Sequence, residues 1–118
     1  MQRDWDLIRK ILLKLEEKAD AQSFLSDDEF RGYHAEMVSY HFKLLLSAGL
    51  IEAIDYSSAR ELCFGARSLT WDGHEFLDKI RNDSTWNSLK TLIKSKRLEL
   101  SFEVIKIAAS GLVAQVLK

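Results

Sequence analysis

The stretch VSYHFKLLLSAGLIEAI, residues 38–54, decides the fold. Apolar residues recur at helical spacing in its first part and lose that spacing in its last. Met37, Val38, His41, Leu44, Leu45 and Ala48 fall on one side of a helix running from His34 to Ala48, and that side is predicted to face the core. Glu36, Ser39, Tyr40, Lys43 and Ser47 are predicted to point outward, with Phe42 and Leu46 flanking the core face. Gly49 ends the helix, because the residue after a helix C-cap commonly takes a positive φ that glycine reaches without a steric penalty. Leu50, Ile51 and Ile54 then change the apolar period and read as a strand.

Downstream, residues 50–56 form one strand of a hairpin, Ser57-Ser58-Ala59 begin its turn and residues 62–69 return. Arg60 and Arg67 are the cations of this hairpin, balanced by Asp55 and Glu61, and Arg60 near the tip is best placed to meet a phosphate. Gly65 inside the return strand predicts a bulge or a close approach. Thr70 can cap a helix over residues 71–81, whose Phe76, Leu77 and Ile80 turn inward. Gly73, one turn into it, lowers helix propensity but would admit a second backbone.

The helix–Ala–Gly–Leu–Ile signature at residues 34–51 resembles the recognition helix and first wing strand of ArsR-type and MarR-type winged-helix regulators. More closely, that stretch together with LTWDGHEFLDKIRND, residues 69–83, resembles a family of uncharacterised, phage-associated winged-helix proteins. The resemblance covers roughly residues 1–83. It implies a winged helix-turn-helix-like domain, mostly α with a small β wing (α+β), and a small DNA-binding regulator of phage or prophage origin. Residues 84–118 would form a C-terminal helical extension packed on the 1–83 domain as one compact unit.

Asp4 can cap a first helix in which Trp5, Ile8, Ile11, Leu12 and Leu15 recur at helical spacing and Asp6 complements the dipole. Arg9, Lys10, Lys14 and Lys18 lie largely elsewhere and read as a solvated basic face. Residues 20–33 are ambiguous: Ser26 and Glu29 have capping-box spacing, yet no apolar helical period follows. Phe30, Gly32 and Tyr33 read better as a short strand and turn. The bracing helix of a helix-turn-helix would then be missing or reduced. Asn82-Asp83-Ser84 is a break and a fresh cap, Trp86, Leu89 and Ile93 mark a further helix, and a last helix spans residues 102–117.

At 118 residues, 47% apolar, 30% charged and without proline, the composition suits one modest, mostly helical domain. A net charge of −1 supplies no overall basic field. The single cysteine, Cys63, excludes an intrachain disulfide and makes a reducing cytoplasm the expected setting. The opening MQRDWDLIRK carries acids where a signal peptide has an apolar run, and no stretch reads as a membrane span.

Chemistry-bearing patterns are sparse. His74-Glu75 with Asp78 falls one residue type short of HExxH and has no third ligand, so no metal and no cofactor are expected. His41, on the inner edge of the central helix, reads as a satisfied core histidine. Cys63 has no activating neighbour, and Asp27, Asp28 and Glu29 stand side by side rather than at catalytic spacing, so no enzyme is expected.

A groove-reading helix offers the outward residues of its N-terminal part to base edges, which nominates Ser39, Tyr40 and Lys43, with Arg60 and Arg67 from the wing. Lys90, Lys94 and Arg97 form a stripe in an acid-free stretch and are candidate contacts to double-stranded DNA, although their ordinary reading as dipole complements is the favoured one. Against DNA stand Glu16, Glu17, Asp20, Asp27, Asp28, Glu29 and Glu36, which lead into the reading helix. A protein-interaction module on the same scaffold is the competing expectation. The last helix is apolar nearly all round, and Phe102, Ile105, Leu112, Val113 and Val116 are its candidates for a homodimer contact.

Overall fold

The computed structural model describes residues 1–95, 101 and 103–107. It is α+β, with four helices, a further short helical stretch at 103–107 and one two-stranded antiparallel sheet among those residues. The chain divides into two compact units, Met1–His74 and Glu75–Lys118, a boundary that falls inside the third helix.

In the first unit, α1 (Trp5–Glu17) begins at Asp4, whose carboxylate accepts the Leu7 N–H at 3.0 Å. Trp5, Leu7, Ile8, Ile11, Leu12 and Leu15 form its buried face, as the spacing predicts. It ends at Lys18, which is extended. Residues 18–34 contain no helix. Asp20 accepts the N–H groups of Gln22 and Ser23 at 2.8 and 2.6 Å, and these bonds hold its carboxyl below the usual carboxylate range.

The predicted strand at 30–33 does not form. Gly32 takes φ 87° in a turn, and the one extended pairing in this segment lies earlier, at Leu25, which exchanges both backbone bonds with Ala66. Half of the capping box is present, since the Ser26 N–H donates to the Glu29 carboxylate at 2.6 Å. No helix follows it, because the left-handed Gly32 turns the chain before a second helical turn can close.

α2 (Ala35–Ser47) is centred on Val38, Phe42 and Leu45, with Ser39 and His41 also buried. Phe42 is therefore core rather than flank, and Ala48 is exposed rather than buried. The end of α2 is a Schellman motif. The Gly49 N–H bonds the Leu46 carbonyl and the Leu50 N–H bonds the Leu45 carbonyl, both at 3.0 Å, with Gly49 at φ 77°.

β1 (Ile51–Asp55) and β2 (Phe64–Leu69) follow as an antiparallel pair running from Ile51 opposite Leu69 to Asp55 opposite Phe64. Backbone bonds from Tyr56 to Cys63 and from Ser58 to Glu61 carry the hairpin outward and leave Ala59 and Arg60 at its tip. The bulge falls at Arg67, not at Gly65, since Glu52 pairs Ser68 and Ala53 pairs Ala66. Gly65 provides the close approach instead: a Cβ there would lie 3.2 Å from the Tyr56 ring and 3.4 Å from Phe24. The buried residues of α1, α2 and the sheet meet in one core, with α1 and α2 both against β2.

α3 (Trp71–Ile80) starts at Thr70, whose hydroxyl accepts the Gly73 N–H at 3.0 Å and donates to the Gly49 carbonyl at 2.6 Å. Phe76, Leu77 and Ile80 are buried. In the second unit, Asn82 caps α4 (Asp83–Ser95) through the Thr85 N–H at 3.1 Å, and Trp86 and Leu89 are buried. Residues 103–107 are helical, opened by Ser101, whose hydroxyl accepts the Val104 N–H at 3.2 Å. Ile105 is fully buried. Phe102, Leu112, Val113, Val116 and Arg97 lie outside the described residues.

Gly73 supports a sharp test. A Cβ there would collide with the Leu50 carbonyl oxygen and lie 3.1 Å from its carbon. Helix propensity alone makes Gly73→Ala stabilising by about 1 kcal/mol. Overpacking against a fixed backbone carbonyl outweighs it, and a net loss of roughly 1–3 kcal/mol is expected in urea unfolding.

Candidate nucleic-acid interface

The outward stripe of α2 is Glu36, Tyr40, Lys43 and Ser47, spaced i, i+4, i+7, i+11. Glu36, Lys43 and Ser47 are exposed, and Tyr40 is half-buried with its ring edge-on to His41 at 5.9 Å. The Ser47 hydroxyl donates to the Lys43 carbonyl at 3.0 Å. Arg60 is exposed at the hairpin tip, where sequence reasoning places it.

Ser39 does not belong with this stripe. It is fully buried, its hydroxyl donating to the Asp27 carboxylate at 2.5 Å and accepting the Phe64 N–H at 2.9 Å. One side chain thus ties the 18–34 segment, α2 and the first residue of β2. A fully buried hydroxyl whose proton is already donated to Asp27 cannot reach a base edge.

Arg67 is also withdrawn from the wing surface. The bulge lays its guanidinium over the Phe24 ring at 4.8 Å, with Nε enclosed and lacking a hydrogen-bond partner. Its carbonyl accepts from Lys18 Nζ at 2.5 Å. In the second unit, Lys90 is half-buried with its ammonium 5.5 Å from the Trp86 ring centroid, and Lys94 is exposed.

Acids accompany the remaining cations. Asp55 is held below the usual carboxylate range, first by hydrogen bonds from Ser57 and then by the charge of Lys43. Cys63 is pushed up, first by burial and then by the negative charges of Asp27, Glu61 and Asp55 together with a hydrogen bond to Asp27. The thiol accordingly stays protonated at neutral pH, which makes it a poor nucleophile. Asp27, Asp55 and Glu61 are thus the carboxylates whose charge Cys63 feels, with Asp55 and Glu61 on the outer part of the hairpin.

His41 is a fully buried histidine with both ring nitrogens engaged. Nε2 accepts the Asp4 N–H at 2.8 Å, and Nδ1–H donates to the Met37 carbonyl at 2.8 Å. The acceptor role of Nε2 fixes the tautomer. Among the described residues, no group of three or more His, Cys, Asp or Glu side chains could hold a metal ion, and His74 and Asp78 are both exposed. Among the same residues, no helix is long and apolar enough to cross a membrane.

Sequence reasoning passed over one cationic feature. Lys10 and Lys14, read as a solvated face, line a cleft with Arg31 and Tyr33. Their i, i+4 spacing was visible, but the conformation of residues 29–33 was not.

A family model described as a hypothetical protein (DUF2513) matches residues 2–99. An uncharacterized protein of Haemophilus influenzae is 62% identical over 117 residues, 99% of this chain and 99% of its own length. No solved structure matches.

Ser39 separates a structural role from a reading role. Ser39→Ala leaves the buried Phe64 N–H without a partner, and a loss of about 1–3 kcal/mol in denaturant unfolding is expected. Selection of duplex sequences by the variant should give an unchanged preference; a relaxed base position would return Ser39 to the reading surface.

Proposed function

We propose that the chain, which belongs to the DUF2513 family of hypothetical proteins, is a non-enzymatic DNA-binding protein of winged-helix type. The observation that carries the reading is the corner at Gly49, where α2 passes directly into the hairpin. That corner leaves one helix stripe and a tip arginine uncovered. The Leu25–Ala66 bridge adds a short third extended segment beside the hairpin. In this reading α2 enters the major groove, Tyr40 and Lys43 reach base edges or phosphates, and Arg60 meets the backbone. The phage or prophage origin and the regulatory role come from the sequence resemblance, and a reducing cytoplasm suits the lone thiol.

A homodimer through the C-terminal stretch belongs to the same proposal. Ile107 is 72% exposed, as an apolar residue awaiting a second copy would be. The weak overall field makes non-specific attraction small, so the affinity has to come from a few placed contacts.

The second reading is a protein-interaction module. The acids whose charge reaches Cys63, namely Asp27, Asp55 and Glu61, favour it, as do Trp71 at 79% and Tyr56 at 57% exposure.

Binding to a random duplex library across a salt series separates the two. The DNA reading expects log affinity to fall linearly with log salt, and Lys43→Ala and Arg60→Ala each to reduce the slope by about 0.9. Tyr40→Ala should relax one base position by roughly 1–3 kcal/mol. Absence of salt-sensitive binding at low salt sinks the DNA reading and leaves the interaction module.

A further inference from the structure

We infer that the cleft between α1 and the 29–33 turn is a phosphate-binding site, and that in the DNA-bound protein it holds a backbone phosphate. The site stands on its own geometry; only the source of the phosphate rests on the DNA reading.

The cleft has a volume of about 370 Å³ and is lined by Lys10, Lys14, Arg31 and Tyr33, with Phe30 beneath and Glu17 and Glu29 at its sides. That volume lies within the range of sites for small ligands. Lys10 and Lys14 stand one turn apart on the same face of α1. Each ammonium lies over an aromatic ring of the facing turn, Lys10 at 5.2 Å from the Tyr33 centroid and Lys14 at 4.9 Å from that of Phe30. Lys14 Nζ also donates to the Glu29 carbonyl at 2.6 Å. Two flexible side chains are thereby held toward one space before any ligand arrives, which lowers the entropy lost on binding.

Their charges are not spent on acids. Among the described residues, none of Lys10, Lys14 and Arg31 forms an ion pair with a carboxylate. Arg31 is exposed on the turn and presents a planar fork suited to two phosphate oxygens. Two acids, Glu17 and Glu29, line the cleft against these three cations, and the Glu29 carboxylate accepts the Ser26 N–H.

Position gives the site its role. Tyr33 and His34 lead straight into α2, so the cleft lies where the absent bracing helix would otherwise touch the backbone. A phosphate seated there would anchor the N-terminal end of the reading helix.

The test follows backbone amide NMR shifts of residues 29–33 in the full chain during titration with inorganic phosphate, then with a short duplex, against sodium chloride at matched ionic strength. Phosphate is expected to shift these amides saturably. Arg31→Gln, which removes no internal contact, should weaken the effect several-fold, whereas Glu17→Gln should tighten it, a gain that loss of folding cannot imitate. The duplex should shift the same amides, and Arg31→Gln should lower its salt slope by about 0.9. Duplex binding that Arg31→Gln leaves unchanged, with no phosphate shift, overturns the site while the DNA reading stands. Phosphate shifts without duplex binding support the site and assign it to a free phosphorylated molecule, with the DNA reading lost. Equal shifts in matched chloride overturn the site outright.

Discussion

The Leu50 carbonyl accepts the Thr70 N–H at 3.0 Å while Gly73 packs against it, and the Thr70 hydroxyl reaches the Gly49 carbonyl at 2.6 Å. This corner joins the end of α2, the base of the hairpin and the first turn of α3. Each participant has a distinct requirement. Gly49 must adopt positive φ, Gly73 must lack a Cβ, and Thr70 must donate and accept through one hydroxyl. Because α2 cannot run on past Gly49, the hairpin leaves the helix at a fixed place, and the stripe from Glu36 to Ser47 remains uncovered.

A second clamp, at Ser39, sets how α2 is rolled. With Asp27 on one side and Phe64 on the other, the helix is centred on Val38, Phe42 and Leu45. His41 does the same work nearer the start of the chain by accepting the first N–H of the α1 cap. Both are buried polar groups whose partners come from distant segments, and such groups fix one arrangement among several that apolar packing alone would tolerate. Together they determine that Tyr40 and Lys43, not Ser39, look outward.

Local chemistry was legible in the sequence. Asp4, Gly49, Thr70 and Asn82 all end or begin helices as their types predict, because a cap is decided by neighbours within a few residues. Periodicity gave α1 its buried face for the same reason. What escaped reading depends on partners far along the chain. Leu25 is extended because Ala66 pairs with it, and Ser39 is inward because Asp27 and Phe64 meet it there. Arg67 is withdrawn because a one-residue bulge aims it at Phe24. Of the candidate site, the helix stripe and the hairpin tip were visible, whereas the α1 cleft was not, since half of it comes from a segment without any period.

Cations resting on aromatic rings recur through this protein, and their differences decide which charges a polyanion could use. Arg67 over Phe24 has an enclosed Nε and lies at the bulge, away from the hairpin tip. Lys43 already stabilises Asp55. Lys10 and Lys14 also lie over rings, yet both are exposed and face a cleft, so ring contact there orients charge without removing it from solvent. With a net charge of −1, a field acting at long range cannot gather DNA onto this surface. Placed contacts must do so at short range, and the α1 cleft and Arg60 are the places where a phosphate would meet cations not already paired with an acid.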